Sequence, residues 1–172
     1  MAEFKPNKTV KFSQEQEAKW AMAVGQLILN FGNLEFLAFQ LIYLFGEKPE
    51  EAYTLKLGGK IDVVIEIINR SNLSLEQRQR AIDLWKEVKQ NALVRNVTAH
   101  SPWLMKEEKD GQFIGGFLDI RITKGFVPGT EFPLLNLGEI ARVLQRTVVI
   151  YEELRNILNG FDAPKTHTGS GK

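Results

Sequence analysis

The 172-residue chain has no cysteine and only two histidines, His100 and His167. Disulfide scaffolds, thiolate zinc sites and cysteine nucleophiles are thereby excluded. Two histidines are also too few for a histidine-rich metal centre, so neither a metal nor another cofactor is expected. Charge of one sign is scarce: 22 Lys plus Arg against 21 Asp plus Glu leave +1. No strong field marks the chain as a coat for nucleic acid or an anionic membrane, and any contact with nucleic acid has to be local. Phosphate loops are missing, because Gly58-Gly59 and Gly115-Gly116 open into neither a Lys-Ser/Thr pair nor a Rossmann pattern. There is no serine elbow either. Met1 to Phe12 lacks the apolar core of a secretory leader. The most apolar run, Trp20 to Phe45, holds Gln26, Asn30, Asn33, Glu35 and Gln40, whereas a membrane span needs about 20 residues nearly free of such groups. With 44% hydrophobic and 25% charged residues, the expectation is one soluble, cytoplasmic domain.

What is present is helical periodicity. Ser13 before QEQEAKW is a plausible N-cap with acidic residues in the first turn. From Trp20 the apolar residues recur through Val24, Leu27, Ile28, Phe31, Leu34, Ala38, Leu41 and Ile42 to Phe45, and Gly46 is the natural stop. Pro49-Glu50-Glu51 opens a short helix that Gly58-Gly59 should break. Lys60 to Arg70 is read as helix despite its β-branched residues, since the flanking segments are helical and no partner strand is near. Ser74-Leu75-Glu76-Gln77 is a capping box opening a helix to about His100, where Pro102 stops it. The period then changes. Lys109-Asp110-Gly111 between apolar runs signals a β-hairpin, and Lys124-Gly125 and Pro128-Gly129 mark further turns. Asn136 caps a last helix ended by Asn159-Gly160. The expected fold is mainly α: an antiparallel, up-down four-helix bundle with a β-hairpin inserted between the third and fourth long helices. Residues 1–12 form an N-terminal arm, 13–161 the single domain with its hairpin at about 103–123, and 162–172 a flexible polar tail.

Three residues are chemically out of place. Glu35 lies within the apolar stripe of the first helix, where a carboxylate is costly unless paired. Arg95 lies in the apolar arc of the third long helix with Ala81, Leu84, Val88 and Ala99. Two opposite charges on core faces should meet as a bidentate pair. That pair is either structural or a means for Glu35 to hold Arg95 toward a site. His100 stands i+4 from Asn96 on one face. As a lone histidine it would merely complement the helix dipole, but Arg, Asn and His within six residues supply an anion binder, an orienter and a proton-transfer group. Ser74 to His100 carries a basic surplus of two: Arg78, Arg80, Lys86, Lys89 and Arg95 against Glu76, Asp83 and Glu87. Trp103, Phe113 and Phe117 either pack the hairpin onto the bundle or stack bases, and Glu152-Glu153 reads as a solvated face.

Arg95-Asn96-Val97-Thr98-Ala99-His100 resembles the R-N-x-x-x-H signature of the HEPN superfamily, which lies late in the third helix of an antiparallel bundle. The opening helix, GQLILNFGNLEFLAFQLI, is similar to the first helix of bacterial HEPN-like families. The resemblance spans about residues 13–100 and the last helix, with the hairpin as an insert. It implies a metal-independent endoribonuclease whose site forms across a homodimer. The 2′-hydroxyl attacks the adjacent phosphate and leaves a 2′,3′-cyclic end. His100 would act in the proton transfers, Arg95 would stabilise phosphate charge, and Asn96 would orient one of them or the substrate. Glu35 would support the site. Toxin–antitoxin or defence systems, with an antitoxin or regulatory protein as partner, are the implied setting. Some HEPN proteins carry a tyrosine two residues beyond the histidine as a modification target, where this chain has Pro102. The alternative is a catalytically silent HEPN-like module that dimerises or binds a nucleotide or protein.

Overall fold

A computed structural model describes residues 13–101, 103–107, 113–118, 134–159 and 161. The chain is mainly helical with a small sheet, in the order α1 (Gln14–Phe45), α2 (Glu51–Thr54), α3 (Leu57–Asn69), α4 (Leu75–His100), β1 (Trp103–Glu107), β2 (Phe113–Leu118), β3 (Leu134–Leu135) and α5 (Leu137–Leu158). Helix starts follow the caps. The Ser13 and Ser74 hydroxyls accept the backbone N–H of Gln16 and Gln77, whose side chains reach back to the cap N–H groups. Asn136 Oδ1 accepts the Glu139 N–H in the same way. Gly46 closes α1 with extended backbone, its N–H donating to the Ile42 carbonyl.

The core is one cluster fed by all four long helices. Leu27, Phe31, Leu34 and Ile42 of α1 meet Ile61, Val64 and Ile68 of α3, Leu84, Trp85 and Val88 of α4, and Ile140, Ile150 and Leu154 of α5. Burying side chains of this kind contributes about 1.5–3 kcal/mol each before the entropy of ordering them. Strand β3 adds Leu135, and Phe117 of β2 lays its ring edge-on against Trp20 at 5.7 Å. The sheet is antiparallel with order β1-β2-β3, Trp103 opposite Phe117 and Phe117 opposite Leu135. Two antiparallel strands thus lie within the 103–123 segment read as a hairpin, and the third strand is an addition. The Lys109-Asp110-Gly111, Lys124-Gly125 and Pro128-Gly129 turns, Pro102, the arm 1–12 and the tail 162–172 lie outside the described residues.

Helix direction departs from the up-down expectation. Lys60 at the start of α3 reaches Glu35 in the middle of α1, and Arg70 at the end of α3 reaches Glu47 just beyond α1. The two helices therefore run parallel. Helix α5 is also parallel to α1, because Asn30 bonds Thr147 while Phe45 meets Phe161 fifteen and fourteen residues further along. Only α4 opposes the others, through Lys89 to Asp62 of α3 and through Arg80 to Glu153 and Glu87 to Arg146 of α5. The physical reason is α2. It folds back along α1, with the Tyr53 ring 5.0 Å from Phe39 and 6.2 Å from Tyr43, so α3 begins beside the middle of α1. A second correction concerns Gly58-Gly59, which lie in the first turn of α3; the break falls at Leu55-Lys56.

Two glycines remain unexplained by packing within the chain. Gly25 and Gly32 sit inside α1, where glycine costs about 1 kcal/mol relative to alanine. A Cβ at either position would meet nothing within 4 Å.

Candidate functional site

The Arg-Asn-His cluster occupies the last turns of α4, at the end of the molecule where the sheet leans on Trp20. Val94 and Val97 are buried and anchor this part of the helix. Their spacing turns Asn96 and His100 outward, and both are exposed, while Arg95 is half-buried at the boundary. His100 is the last helical residue, so a positive imidazolium there faces the negative end of the helix dipole. Arg95 Nη1 donates to Asn96 Oδ1 at 3.1 Å. Its Nε is buried with no hydrogen-bond partner among the described residues, and none of the ion pairs there includes it. Thr98, which sequence reasoning passed over, is buried and donates its hydroxyl to the Arg95 carbonyl at 2.8 Å. Ser101 Oγ, at the C-cap, is likewise buried with no hydrogen-bond partner among the described residues.

The expected Arg95–Glu35 pair does not form. Glu35 accepts from Lys60 Nζ at 2.9 Å instead. Lys60 is 8% exposed and Glu35's side chain 37%, so the carboxylate neutralises a buried ammonium of α3. The helical wheel placed Glu35 correctly beside the core and missed its partner, because α3 was expected to run the other way. Arg95 is left with guanidinium donors committed to no carboxylate among the described residues, an arrangement suited to an incoming anion.

The local charge is thinner than the count along α4. Arg80 is held by Glu153, its Nε 2.9 Å from the carboxylate. Lys89 is held by Asp62 at 2.6 Å, and Arg78 donates to the Ser71 and Leu73 carbonyls. Glu87 receives a bidentate grip from Arg146, with Nε at 2.6 Å and Nη2 at 2.8 Å. That hydrogen bond holds the Glu87 carboxyl below its ordinary range, against a smaller opposing effect of burial, with further help from the Arg146 and Arg80 charges. The same bond raises Arg146. Glu153, read as a solvated residue, is thus an interhelical partner.

A separate cleft of about 550 Å³ opens between α1 and α5, lined by Asn30, Asn33, Thr147, Tyr151, Glu152 and Arg155 among others. Arg155 stacks over the Tyr151 ring at 5.8 Å. Amides, hydroxyls and one charge of each sign can orient a polar group but hold no nucleophile–base pair. Asn30 and Asn33, at i and i+3 within an apolar helix, were the available signal for it. No group of three metal-ligating side chains occurs among the described residues. One helix, α1, is long and apolar enough by length and composition to cross a membrane, and a third of its most apolar stretch is buried inside the fold. Comparison with protein-family models, curated proteins and solved structures finds no match for the chain.

Proposed function

We propose that the chain is an endoribonuclease of HEPN type, a cytoplasmic homodimer with a toxin or defence role, built on a four-helix core with the sheet inserted before the last helix. The observation that carries the reading is Arg95: a half-buried guanidinium with no carboxylate partner among the described residues, next to exposed Asn96 and His100. A purely structural arginine at such a depth would be expected to carry a counter-charge. In the reaction the RNA 2′-oxygen bonds to phosphorus and the bond from phosphorus to the 5′-oxygen breaks. The products are a 2′,3′-cyclic phosphate and a 5′-hydroxyl. His100 takes part in removing the 2′-hydroxyl proton and returning one to the 5′-oxygen, Arg95 stabilises charge on the phosphate, and Asn96 fixes the guanidinium through the 3.1 Å bond.

The test is cleavage of RNA with EDTA present, followed by analysis of the ends. His100→Ala should lower the rate by about 10²–10⁴, and Arg95→Ala by about 10²–10³. Cleavage that survives both substitutions would remove the assignment. A second reading, a catalytically silent module that dimerises or binds a nucleotide or protein, is favoured by one observation. Ion pairs consume Arg80 and Lys89, which leaves few free cations along α4 to hold RNA. A folded protein that binds RNA or nucleotide without cutting would support it.

A further inference from the structure

We propose that the outward face of α1 is a homodimer interface, in which α1 packs antiparallel against the same helix of a second copy. The face carries a strict 3-4 repeat opposite the core. At one position stand Met22, Leu29, Phe36 and Tyr43, each with between 51% and 62%, or for Leu29 69%, of its surface exposed. At the other stand Ala18, Gly25 and Gly32, followed by Phe39, which is half-buried where Tyr53 of α2 borders the face. Large residues at one heptad position and small ones at the other make a single helix both knob and hole.

Antiparallel pairing sets each position against the other kind. Leu29 then faces the second copy's glycine equivalent to Gly32, Phe36 faces Gly25, and Tyr43 faces Ala18. Parallel pairing would stack glycine on glycine and phenylalanine on phenylalanine, which fills space poorly. Close approach of a second backbone gives Gly25 and Gly32 the purpose that their own chain does not, since a Cβ at either meets open space. The self-contact is isologous, as two-fold dimers require.

Charge and area agree with a second copy. Between Ala21 and Gly46 the only charged residue is Glu35, which lies off the stripe and is paired with Lys60. No like charges are therefore brought together. Six side chains of the stripe and its margin, the four large residues with Leu44 and Tyr53, expose about 200 Å² × 0.6 each, on the order of 700 Å² in all. Specific, stable interfaces bury about 600–1,000 Å² per partner. A lipid surface fits less well, because Gln26, Asn33 and Gln40 run along the edge of the stripe and would enter hydrocarbon without hydrogen-bond partners.

Sedimentation equilibrium of the full chain tests this. Wild type should have the mass of two protomers, and Gly32→Leu and Phe36→Lys should each weaken the dimer at least about tenfold. Gly32→Leu should keep the fold, since Gly32 is exposed and a Cβ there meets nothing of its own chain within 4 Å, and unchanged helical circular dichroism verifies that. Because the chain lacks cysteine, an oxidised mixture of Met22→Cys and Phe39→Cys protomers reports direction: crosslinks between unlike positions support the antiparallel pairing, and crosslinks only between like positions overturn it. A monomeric wild type overturns the proposal, as does a dimer insensitive to both substitutions. A monomer that instead co-sediments with phosphatidylcholine–phosphatidylglycerol vesicles overturns it in favour of a bilayer surface. This pairing sets Trp20 beside Leu41 of the second copy, so the two Arg95 clusters lie at opposite ends of the seam; the interface is therefore distinct from a site shared across the dimer, and mass is measured without activity. A dimer that does not cut RNA would sink the ribonuclease reading and leave this one, and a cutting monomer would sink this one and the homodimer of that reading while leaving its chemistry.

Discussion

At the scale of single residues, the pair Lys60–Glu35 shows how a misplaced charge is resolved. Lys60 lies almost wholly out of water and Glu35 only partly, so the two partners are not equivalent. Glu35→Leu strands a buried ammonium and should cost about 1–3 kcal/mol. Lys60→Met removes the buried charge and leaves a carboxylate that water can still reach, so it should cost less. Adding Lys60→Met to Glu35→Leu should recover part of the loss. Urea unfolding of the three variants measures this, and equal costs for both single changes would contradict the asymmetry. Glu35→Gln should affect stability while leaving RNA cleavage near that of wild type, because the carboxylate serves α3 and not Arg95. The sequence made Glu35 and Arg95 conspicuous one by one. It could not pair them, since a helical wheel records the direction of a side chain and says nothing of which helix lies opposite.

At the scale of elements, boundaries written in side-chain chemistry were legible and those written in tertiary packing were not. Ser13, Ser74 and Asn136 announce their helices because each cap is a local hydrogen bond. The paired glycines 58 and 59 misled, because a helix tolerates glycine in its first turn, before its backbone is fully engaged. Strand β3 has only two residues and went unseen; its evidence is the neighbour, not the chain. Gly116 of β2 is the mark of that contact, since a Cβ there would lie 2.7 Å from the Leu135 carbonyl oxygen and 2.9 Å from Leu134 Cβ. Gly116→Ala must push β3 away and should cost about 1–3 kcal/mol. Gly25→Ala, with open space around it, should stabilise the monomer by about 1 kcal/mol through helix propensity. Thermal melts of the two variants under dissociating conditions should therefore move in opposite directions.

At the scale of the whole molecule, the arrangement turns on one short reversal. The α2 segment carries the chain back along α1, which sets α1, α3 and α5 parallel and leaves α4 alone to oppose them. The sequence reading expected alternating helices, and the aromatic contacts of Tyr53 that defeat it appear only once the fold exists. Because α4 runs against α5 along most of its length, their charges interlock: Arg80 with Glu153, Glu153 with Arg146, Arg146 with Glu87. This network makes the fold sensitive to acid in a defined way. Glu87 titrates below its ordinary value of 4.5 in the folded chain, chiefly because Arg146 donates to it, so its contribution is present above that value and is lost as pH falls through the lower folded one. Arg146 is raised above its ordinary value by the same hydrogen bond, so it stays charged throughout the acid range and adds no slope there. The urea midpoint of wild type should accordingly fall as pH drops below the ordinary carboxylate range. Glu87→Gln, which abolishes the titrating group but keeps a hydrogen-bond acceptor, should be less stable at neutral pH by about 1 kcal/mol or less, given a pair one-third exposed. Its profile should be flatter through the acid window and should converge on that of wild type at the low end. Parallel profiles for the two proteins would mean that the α4–α5 contact is held by its apolar face alone, with Glu87 and Arg146 merely neighbours on its rim.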